Sequence, residues 1–311
     1  MKTYNNISEF STSKGTVVTL GTFDGVHLGH QKILAKLTDA AKNLALESLV
    51  LTFHPHPRSV LQNGSTPLLI NTIDEKIQQL KRHSIDHLII HPFDKEFSRL
   101  TAEEFVLQVL VEQFNLKKII IGYDHRFGRN RTATIDDLIA FGEKFGFEVE
   151  QITAEEINEI TISSTKIRNA LQNGSISTAN QYLGYPFQLT GTVINGQQLG
   201  RTIGFPTANI AINSAEKLIP ANGVYIAKAT VQNESYNGVM NIGNRPTVNG
   251  QSQSIEIHLF DFEASIYDEK ITIELLEYIR PEQKFDSLDA LKSQIAKDKE
   301  RAMEYFREPT T

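Results

Sequence analysis

The sequence predicts two domains of different architecture: an α/β domain built on a parallel sheet, followed by an antiparallel β-barrel that ends in a helix. The 311 residues favour two domains, since single domains commonly hold about 100–200 residues. In the first half, short apolar runs alternate with amphipathic stretches, which is typical of parallel strands covered by helices. After residue 184, short apolar runs follow one another between turn residues, as an antiparallel barrel or sandwich requires. We therefore expect domains at 1–184 and 185–311.

Composition narrows the function before any motif is considered. The chain has no cysteine, which excludes disulfides, thiolate nucleophiles and cysteine-ligated metal sites and makes a cytoplasmic location the default expectation. With 31 Lys+Arg and 37 Asp+Glu, the net charge is −6. Extensive electrostatic binding of a nucleic-acid backbone is therefore not expected. No window approaches about 18 uninterrupted apolar residues, and no signal-peptide pattern opens the chain. We therefore expect no membrane partner and no transport function.

Five apolar runs in the first half predict strands, at 17–20, 48–53, 87–90, 117–121 and 147–152. Helical spacing of apolar residues predicts helices between them. These helices lie at 33–44, at 74–82, after a capping-box pattern formed by Thr101 and Glu104, and at 135–144. Ligands bind such sheets at the carboxyl ends of the strands, and the unusual residues of this half fall there.

Five further runs predict the strands of the second domain, at 188–194, 224–231, 236–242, 254–262 and 271–278. Gly184-Tyr185-Pro186 breaks the chain just before the first of them. A terminal helix follows the last strand. Its predicted buried face consists of Leu288, Leu291, Ile295, Ala302 and Phe306.

The most informative stretch of the first domain runs from Gly21 to His30 and reads Gly-Thr-Phe-Asp-Gly-Val-His-Leu-Gly-His. It lies between a strand and a helix, where backbone N–H groups and the helix dipole favour a bound phosphate. Gly29 lies between His27 and His30 and lets a ligand approach the backbone closely. Two imidazoles aimed at one point could stabilise charge on a phosphoryl oxygen. The alternative, two exposed histidines without a role, is disfavoured by the strand–loop–helix context.

A second polar segment runs from Ile162 to Arg168 and reads Ile-Ser-Ser-Thr-Lys-Ile-Arg. Ser163 or Ser164 is suited to cap a helix over 165–171, which leaves free N–H groups near the hydroxyls. Arg168 projects from the same side and can bind a phosphate through two hydrogen bonds. Taken alone, however, the segment fits a plain capped surface helix better.

His54 and His56 raise the alternative of a metal site, since they are two residues apart. Zinc would need further ligands, for which His27, His30 or Asp24 are candidates. The lack of cysteine and two stiffening prolines in the segment disfavour this hypothesis.

The second domain carries a glycine-rich segment from Gly191 to Asn209. Its backbone N–H groups could surround phosphates, although the Gly-Lys-Ser/Thr ending of a Walker A loop is missing, and a plain connection is the alternative. In the predicted strand at 255–260, alternation places Glu256 and His258 on the face opposite the apolar residues. A carboxylate on a rigid strand can accept the proton of a substrate hydroxyl. The alternative is a solvent-facing carboxylate without a role.

At this point the sequence resembles a known family, the bacterial bifunctional FAD synthetases, which combine a riboflavin kinase with an FMN adenylyltransferase. The element His27-x-Gly29-His30 after the first strand is the signature of the adenylyl- and cytidylyltransferase superfamily. The resemblance therefore implies an α/β nucleotidyltransferase fold, with a Rossmann-like parallel sheet, for the first domain.

Three further segments of the first domain carry the same resemblance. Residues 53–58 resemble the family's second-strand motif, 122–128 its flavin-side segment and 162–168 its phosphate-binding element. His54 stands where the family usually has an acidic residue, so contacts to flavin or ATP are expected to differ in detail.

For the first domain the resemblance implies three groups of site residues. The residues that position substrates and stabilise charge are His27, His30, Ser164 and Arg168. The ATP-binding residues are Gly21, Phe23, Asp24, Gly29, Ser163 and Thr165. The flavin-binding residues are His56, Arg58, Asp124, Arg126 and Phe127.

In the second domain, the segment 204–209 reads Gly-Phe-Pro-Thr-Ala-Asn and resembles the Pro-Thr-Ala-Asn motif of riboflavin kinases. The resemblance implies that Thr207 and Asn209 hold the nucleotide's Mg²⁺, for which oxygen ligands are suited, and that Glu256 is the general base. It also implies ATP contacts from Gly204, Pro206 and Arg245. Asp268 stands where the family usually has glycine, so we expect a local difference in that turn.

The resemblance thus implies a cytoplasmic enzyme that phosphorylates riboflavin with ATP to FMN, and then transfers AMP from ATP to FMN, giving FAD and pyrophosphate. One alternative is a nucleotidyltransferase for another phosphorylated metabolite, against which the Pro-Thr-Ala-Asn segment and Glu256 argue. A second is a non-catalytic flavin- or nucleotide-binding regulator, for example of RNA, against which the acidic charge balance argues.

Overall fold

The computed structural model describes residues 1–61, 67–123, 126–129, 132–153, 162–196, 199–247 and 250–307. Asp124, one of the predicted flavin-binding residues, lies outside these ranges, and so does the side chain of Arg245. The chain divides into two compact units, Met1–Ser164 and Thr165–Thr311. Within the described ranges, no helix combines the length and the apolar composition that a membrane crossing requires.

The first unit is built on a parallel sheet of six strands in the order β1-β4-β3-β2-β5-β6. The strands are β1 (Lys2–Tyr4), β2 (Thr16–Leu20), β3 (Glu47–Phe53), β4 (His87–His91), β5 (Leu116–Gly122) and β6 (Glu148–Ile152). All five predicted strands are confirmed. The short edge strand β1 was not predicted, because three residues are too few to show a period.

Helices connect the strands. They are α1 (Leu28–Asn43), α2 (Pro57–Leu61), α3 (Ile73–Lys81), α4 (Ala102–Glu104) and α5 (Ile135–Phe145). α4 runs directly into a π-helix over Phe105–Gln113, where the periodicity predicted an ordinary helix. The predicted capping box is confirmed, since the Thr101 hydroxyl accepts from the Glu104 N–H and the Glu104 carboxylate accepts from the Thr101 N–H.

Two apolar cores, one on each face of the sheet, hold these layers together, because successive residues of a strand point to opposite faces. Val17 of β2 packs in a core with Leu34 of α1 and Leu80 of α3. Its neighbour Val18 packs in the other core, with Leu110 of the π-helix and Leu138 of α5. This packing fixes the carboxyl end of β2 at one edge of the sheet, where the loop with the paired histidines begins.

The second unit contains a closed barrel in the order β10-β11-β8-β7-β12-β9, with antiparallel pairing throughout. The strands are β7 (Phe187–Ile194), β8 (Ala208–Ala211), β9 (Gly223–Val231), β10 (Glu234–Thr247), β11 (Gly250–Leu259) and β12 (Lys270–Arg280). The five predicted strands and the barrel are confirmed. β8 was not predicted, because it is a four-residue strand inside the glycine-rich segment.

Four helices accompany the barrel: α6 (Ser164–Gln172), α7 (Ile176–Leu183), α8 (Leu199–Thr202) and α9 (Leu288–Arg307). Asn180 of α7 ties that helix to the barrel, since its Nδ2 donates to the Leu275 carbonyl and its Oδ1 accepts from the Phe187 N–H, both at 2.8 Å. The second compact unit begins at Thr165, so it includes α7 and all of α6 except its first residue. Residue 184 as the limit between two functional domains stays a prediction.

The terminal helix α9 packs on the barrel through its second half. Ala302 is buried, and Phe306 packs in a cluster with Ile226 and Phe260. The predicted buried face is wrong at Leu288, which is 57% exposed. The first turn of α9 lies outside this cluster, which explains the difference.

A buried ion pair fastens α9 to the end of β12. The Arg280 Nε donates to Asp298 Oδ1 at 3.0 Å and its Nη2 donates to Oδ2 at 2.7 Å, with the Asp298 side chain only 4% exposed. Gln294 Nε2 also donates to Asp298 Oδ1 at 2.9 Å. The carboxylate therefore accepts from three donor groups of two residues, and its loss would leave the largely buried guanidinium without its counter-charge.

We expect the substitution Asp298→Ala to lower the free energy of unfolding of the second unit by about 3 kcal/mol, because it leaves a buried charge unpaired. Urea unfolding of the full chain measures this loss. The matched control is Glu277→Ala, which breaks the more exposed pair between Glu277 and Arg301 of α9; there the loss should stay below about 1 kcal/mol. Equal losses in the two variants would contradict the assignment.

Candidate active sites

The first candidate site is the loop that joins β2 to α1. Gly21 still belongs to the sheet, since its N–H donates to the Leu51 carbonyl at 3.1 Å. The backbone then enters the left-handed region at Phe23 (φ 47°), Gly25 (φ 86°) and Val26 (φ 36°). A positive φ is costly for a β-branched residue such as valine. Backbone strain of this kind concentrates at functional sites.

Two anchors from the segment around the start of α3 hold this loop. The buried Asp24 carboxylate accepts hydrogen bonds from the N–H groups of Ile70 and Asn71, at 3.0 and 3.3 Å. The Lys76 ammonium donates to the Thr22 carbonyl at 2.7 Å. Asp24 was expected among the ATP-binding residues. In the structure its carboxylate fastens the loop to the segment before α3.

Lys76 was missed by the sequence analysis, because a lone lysine on a helix carries no signal. It is 6% exposed. Burial lowers its pKa from 10.5 to about 8, and the neighbouring Asp24 carboxylate partly opposes this change. At about 1.4 kcal/mol per pKa unit, keeping this ammonium charged costs the folded state roughly 3 kcal/mol.

The two predicted histidines come together at the end of the loop. Their rings stack with centroids 3.7 Å apart, and His27 caps α1 by accepting the His30 N–H at its Nδ1, at 3.4 Å. A neutral His27 that accepts at Nδ1 carries its proton at Nε2. The pair thus combines a helix start, where phosphates bind, with an imidazole donor.

His30 is held uncharged in the folded protein. Burial is the main cause that places the pKa of His30 well below its usual value of 6.5, and the neighbouring Lys76 ammonium lowers it further. Its Nδ1 is buried and has no hydrogen-bond partner among the described residues. A buried polar atom of this kind is uncommon in folded proteins and fits a site that takes its partner from a ligand.

The Ser-Ser-Thr-x-x-Arg segment meets the loop at Ser164. The Ser164 hydroxyl donates to the Asp24 carbonyl at 3.0 Å. α6 begins at Ser164, so Ser163 takes the position before the helix, Thr165 lies exposed in its first turn and Arg168 follows one turn later. The structure thus brings Ser164 to the loop that carries the paired histidines.

The predicted flavin-side residues follow the carboxyl ends of the strands. His56 accepts the Arg58 N–H at its Nδ1, at 3.1 Å, and Arg58 and Arg126 are exposed. Phe127 differs from these, because it is 6% exposed and packs against Phe105 at a centroid distance of 6.3 Å. Its ring therefore belongs to the core beneath this edge.

The zinc hypothesis for His54 and His56 finds no support. Within the ranges that the structure describes, no three His, Asp or Glu side chains come together as a group that could hold a metal.

The second candidate site lies in the barrel, where β8 pairs with β11. The register places Asn209 opposite Glu256, and the Thr207 hydroxyl donates to Glu256 Oε2 at 3.0 Å. The predicted alternation is confirmed, since Ile255, Ile257 and Leu259 are buried. Glu256 faces the other way. Three predicted residues from two distant motifs thus come together.

The glycine-rich segment lies directly against this group. A Cβ on Gly196 would lie 2.1 Å from Asn209 Nδ2, so a larger residue there would displace the Asn209 amide. Gly204 has a left-handed backbone (φ 84°) just before the Pro-Thr-Ala-Asn residues. Asp268 also has a left-handed backbone (φ 64°). The turn that was expected to differ therefore has the backbone conformation that glycine favours, which aspartate tolerates.

His258 is a second residue whose role the sequence analysis missed. Its Nδ1 donates to the Pro206 carbonyl at 2.7 Å, and its ring contacts Phe205 and Phe260 at centroid distances of 5.8 and 5.7 Å. Burial lowers its pKa, although the bond to Pro206 opposes this change. His258 therefore anchors the backbone immediately before Thr207.

The fold and the two sites define a class of protein: a nucleotide-binding α/β unit with a His-x-Gly-His loop, joined to a barrel with a carboxylate and oxygen donors on adjacent strands. Residues 9–166 match the family model described as FAD synthetase, and residues 183–306 match the one described as riboflavin kinase. The chain belongs to the family of bifunctional riboflavin kinase/FMN adenylyltransferases.

Individual relatives agree over almost the whole chain. The bifunctional riboflavin kinase/FMN adenylyltransferase of Haemophilus influenzae is 41% identical over 294 residues, covering 94% of this chain and 95% of the relative. The Bacillus subtilis protein of the same description is 40% identical over 299 residues, covering 94% and 92%.

A solved structure shares the fold. It comes from Streptococcus pneumoniae and was named a macrolide-efflux protein, with a TM-score of 0.89, 34% identity and coverage of 97% of this chain and 98% of that one. Its name differs from the descriptions of the family models and the curated relatives, which agree with one another.

We expect His30→Gln to weaken the loss of stability on acidification. Below pH 6.5, the ordinary pKa of histidine, the unfolded chain binds a proton that His30 in the folded chain does not bind. This difference removes up to about 1.4 kcal/mol of stability per pH unit. Urea unfolding at pH 8, 6.5 and 5.5 measures the slope. His83→Gln, at a half-buried histidine whose pKa is also lowered, is the control and should change the slope less. An unchanged slope in His30→Gln would refute the assignment.

Proposed function

We propose that the two units divide two consecutive ATP-dependent reactions of flavin nucleotide synthesis. The barrel phosphorylates riboflavin to FMN, and the α/β unit adenylylates FMN to FAD. The observation that carries this proposal is the assembly of each motif set at one place: the paired histidines with Ser164 in one unit, and Thr207 with Glu256 in the other. Both reactions consume ATP, which supports a cytoplasmic location.

In the adenylyl transfer, a phosphate oxygen of FMN attacks the α-phosphorus of ATP. The bond to the β-phosphate oxygen breaks, and pyrophosphate leaves. The attacking phosphate is already a nucleophile, so the protein has to position the reactants and stabilise charge. His27 donates from Nε2, and the N–H groups at the start of α1 contribute further donors.

In the kinase reaction, the 5′-hydroxyl of riboflavin attacks the γ-phosphorus of ATP and ADP leaves. Glu256 accepts the hydroxyl proton as general base. The Thr207 hydroxyl, which donates to Glu256 Oε2, orients this carboxylate. His258 holds the Pro206 carbonyl and thereby keeps Thr207 in place.

The oxygen donors of the barrel site fit Mg²⁺. Thr207 and Asn209 offer a hydroxyl and an amide oxygen next to a single carboxylate, which suits a hard ion that keeps waters and shares phosphate oxygens. Bound there, Mg²⁺ would neutralise charge on the phosphates of ATP. The small-molecule partners are thus ATP, riboflavin and FMN.

A pair of variants should separate the two reactions. With riboflavin and Mg-ATP, the wild-type protein should form FMN and then FAD. His27→Gln should lose FAD formation by about 10²-fold while FMN formation continues. Glu256→Gln should lose FMN formation by about 10²-fold or more while it still converts supplied FMN to FAD. Chromatography of the flavins measures both rates in the wild type and in each variant.

The absence of both flavin products from the wild type would overturn the proposed function. If one variant abolished both reactions while the protein remained folded, the division of labour between the units would be wrong. Glu256→Gln with full kinase activity would remove only the base assignment.

His258→Ala should lower riboflavin phosphorylation by about tenfold, since a small displacement of the Thr207 segment costs rate. His258→Asn should restore most of it, because its amide nitrogen can take the place of Nδ1. Conversion of FMN to FAD is the internal control and should not change. Equal activity of the alanine and asparagine variants would show that the hydrogen bond to Pro206 has no role in positioning.

A further inference from the structure

Lys76 is a buried charge that none of the motifs explains. It lies on α3, 54 residues from the carbonyl that its ammonium binds. Its side chain is shielded from water, and that burial disfavours the charged form. A charged residue buried in such a place carries a cost in stability, and costs of this kind are typical of functional sites.

The bond of Lys76 acts on the peptide that leads into the strained turn. The carbonyl of Thr22 belongs to the peptide group that precedes Phe23, the first residue with a left-handed backbone. Lys76 Nζ binds this carbonyl at 2.7 Å, and the Thr52 hydroxyl donates to it at 3.3 Å. The orientation of that peptide sets the path of the chain toward Val26 and the paired histidines.

The anchor itself is rigid. A complete capping box of Thr72 and Glu75 fixes the start of α3, and the amides of Ile70 and Asn71 bind Asp24 just before it. The loop is thus held at two points by one continuous segment. The N–H groups of Ile70 and Asn71 hold a side chain of the loop, that of Asp24. The ammonium of Lys76 holds the loop backbone, at the Thr22 carbonyl.

We propose that Lys76 is a positioning residue for adenylyl transfer, because its hydrogen bond to the Thr22 carbonyl holds the loop that presents His27 and His30 to the phosphates. This inference rests on the proposed function of the first unit. Lys76 acts through the loop backbone.

The charges that face Lys76 come from two other elements. The Asp24 carboxylate in the loop attracts its charge, and His30 on α1 lies close enough for Lys76 to lower the pKa of that imidazole. Glu75 neighbours Lys76 on α3 itself, where its carboxylate accepts the Thr72 N–H. The ammonium therefore holds the loop and also favours the uncharged form of His30.

The test compares Lys76→Met with Lys81→Met, which removes an exposed lysine from the same helix. Methionine keeps the length of the side chain but cannot donate a hydrogen bond. We expect Lys76→Met to lower kcat for FAD formation from FMN by about 10²-fold, with a smaller change in KM for ATP. Lys81→Met should match the wild type in both constants.

Stability and the kinase reaction distinguish positioning from a structural role. Removal of a buried charge should leave the melting temperature of Lys76→Met equal to or above that of the wild type, and FMN formation from riboflavin should be unchanged. A lower melting temperature with loss of both reactions would overturn the proposal, as would full FAD formation in Lys76→Met. Failure of the wild-type protein to make FAD would instead overturn the proposed function.

The pH profile is a further readout that a purely structural lysine would not move. FAD formation by the wild type should fall as the pH rises through about 8, the pKa of Lys76, because the charge-assisted bond to Thr22 is then lost. Lys76→Met should be slow throughout and lack this alkaline limb. A limb at the same pH in both proteins would assign it to another group and overturn the proposal.

Discussion

The strained turn after β2 is the constraint on which the chemistry of the first unit depends. A left-handed backbone at Val26 is unfavourable by itself, so it persists only because its surroundings over-determine it. Three contacts restrain it: the Asp24 carboxylate is held by the amides before α3, the Lys76 ammonium binds the Thr22 carbonyl, and the Ser164 hydroxyl binds the Asp24 carbonyl. Without them the backbone would relax, and His30 would lose its place beside the helix start.

In the barrel, the pairing of neighbouring strands holds the functional side chains in place. Because β8 pairs with β11, Asn209 lies opposite Glu256, and the period of two puts His258 on the same face as Glu256. One strand therefore supplies both the carboxylate and the group that holds the neighbouring backbone at Pro206. A rigid strand positions such groups more precisely than a loop does, and the bond from His258 to the Pro206 carbonyl holds the backbone just before Thr207.

The regular elements and the motif residues could be predicted from the sequence, and the contacts that hold the sites could not. Hydrophobic periods predicted ten strands, whereas β1 and β8, at three and four residues, are too short to show one. Side-chain motifs led to Glu256 and the paired histidines. Lys76 and His258 bind backbone carbonyls 54 and 52 residues away, and a carbonyl is present at every position, so no residue pattern encodes these bonds. The burial of Phe127 could not be predicted for a related reason, since its motif gives no information on exposure.

The buried charges of the two units differ in whether an oppositely charged partner accounts for them. Arg280 and Asp298 neutralise each other and hydrogen-bond to one another. The attachment of α9 to β12 is therefore a sufficient structural reason for this pair. Lys76 binds a neutral carbonyl, and the Asp24 carboxylate, which influences its charge, accepts two backbone amides. A buried methionine would serve packing at that position without the cost of a charge. The fold therefore does not require the charge of Lys76. The hydrogen bond from Lys76 to the Thr22 carbonyl, in the peptide that leads into the strained turn, is the feature that explains this charge.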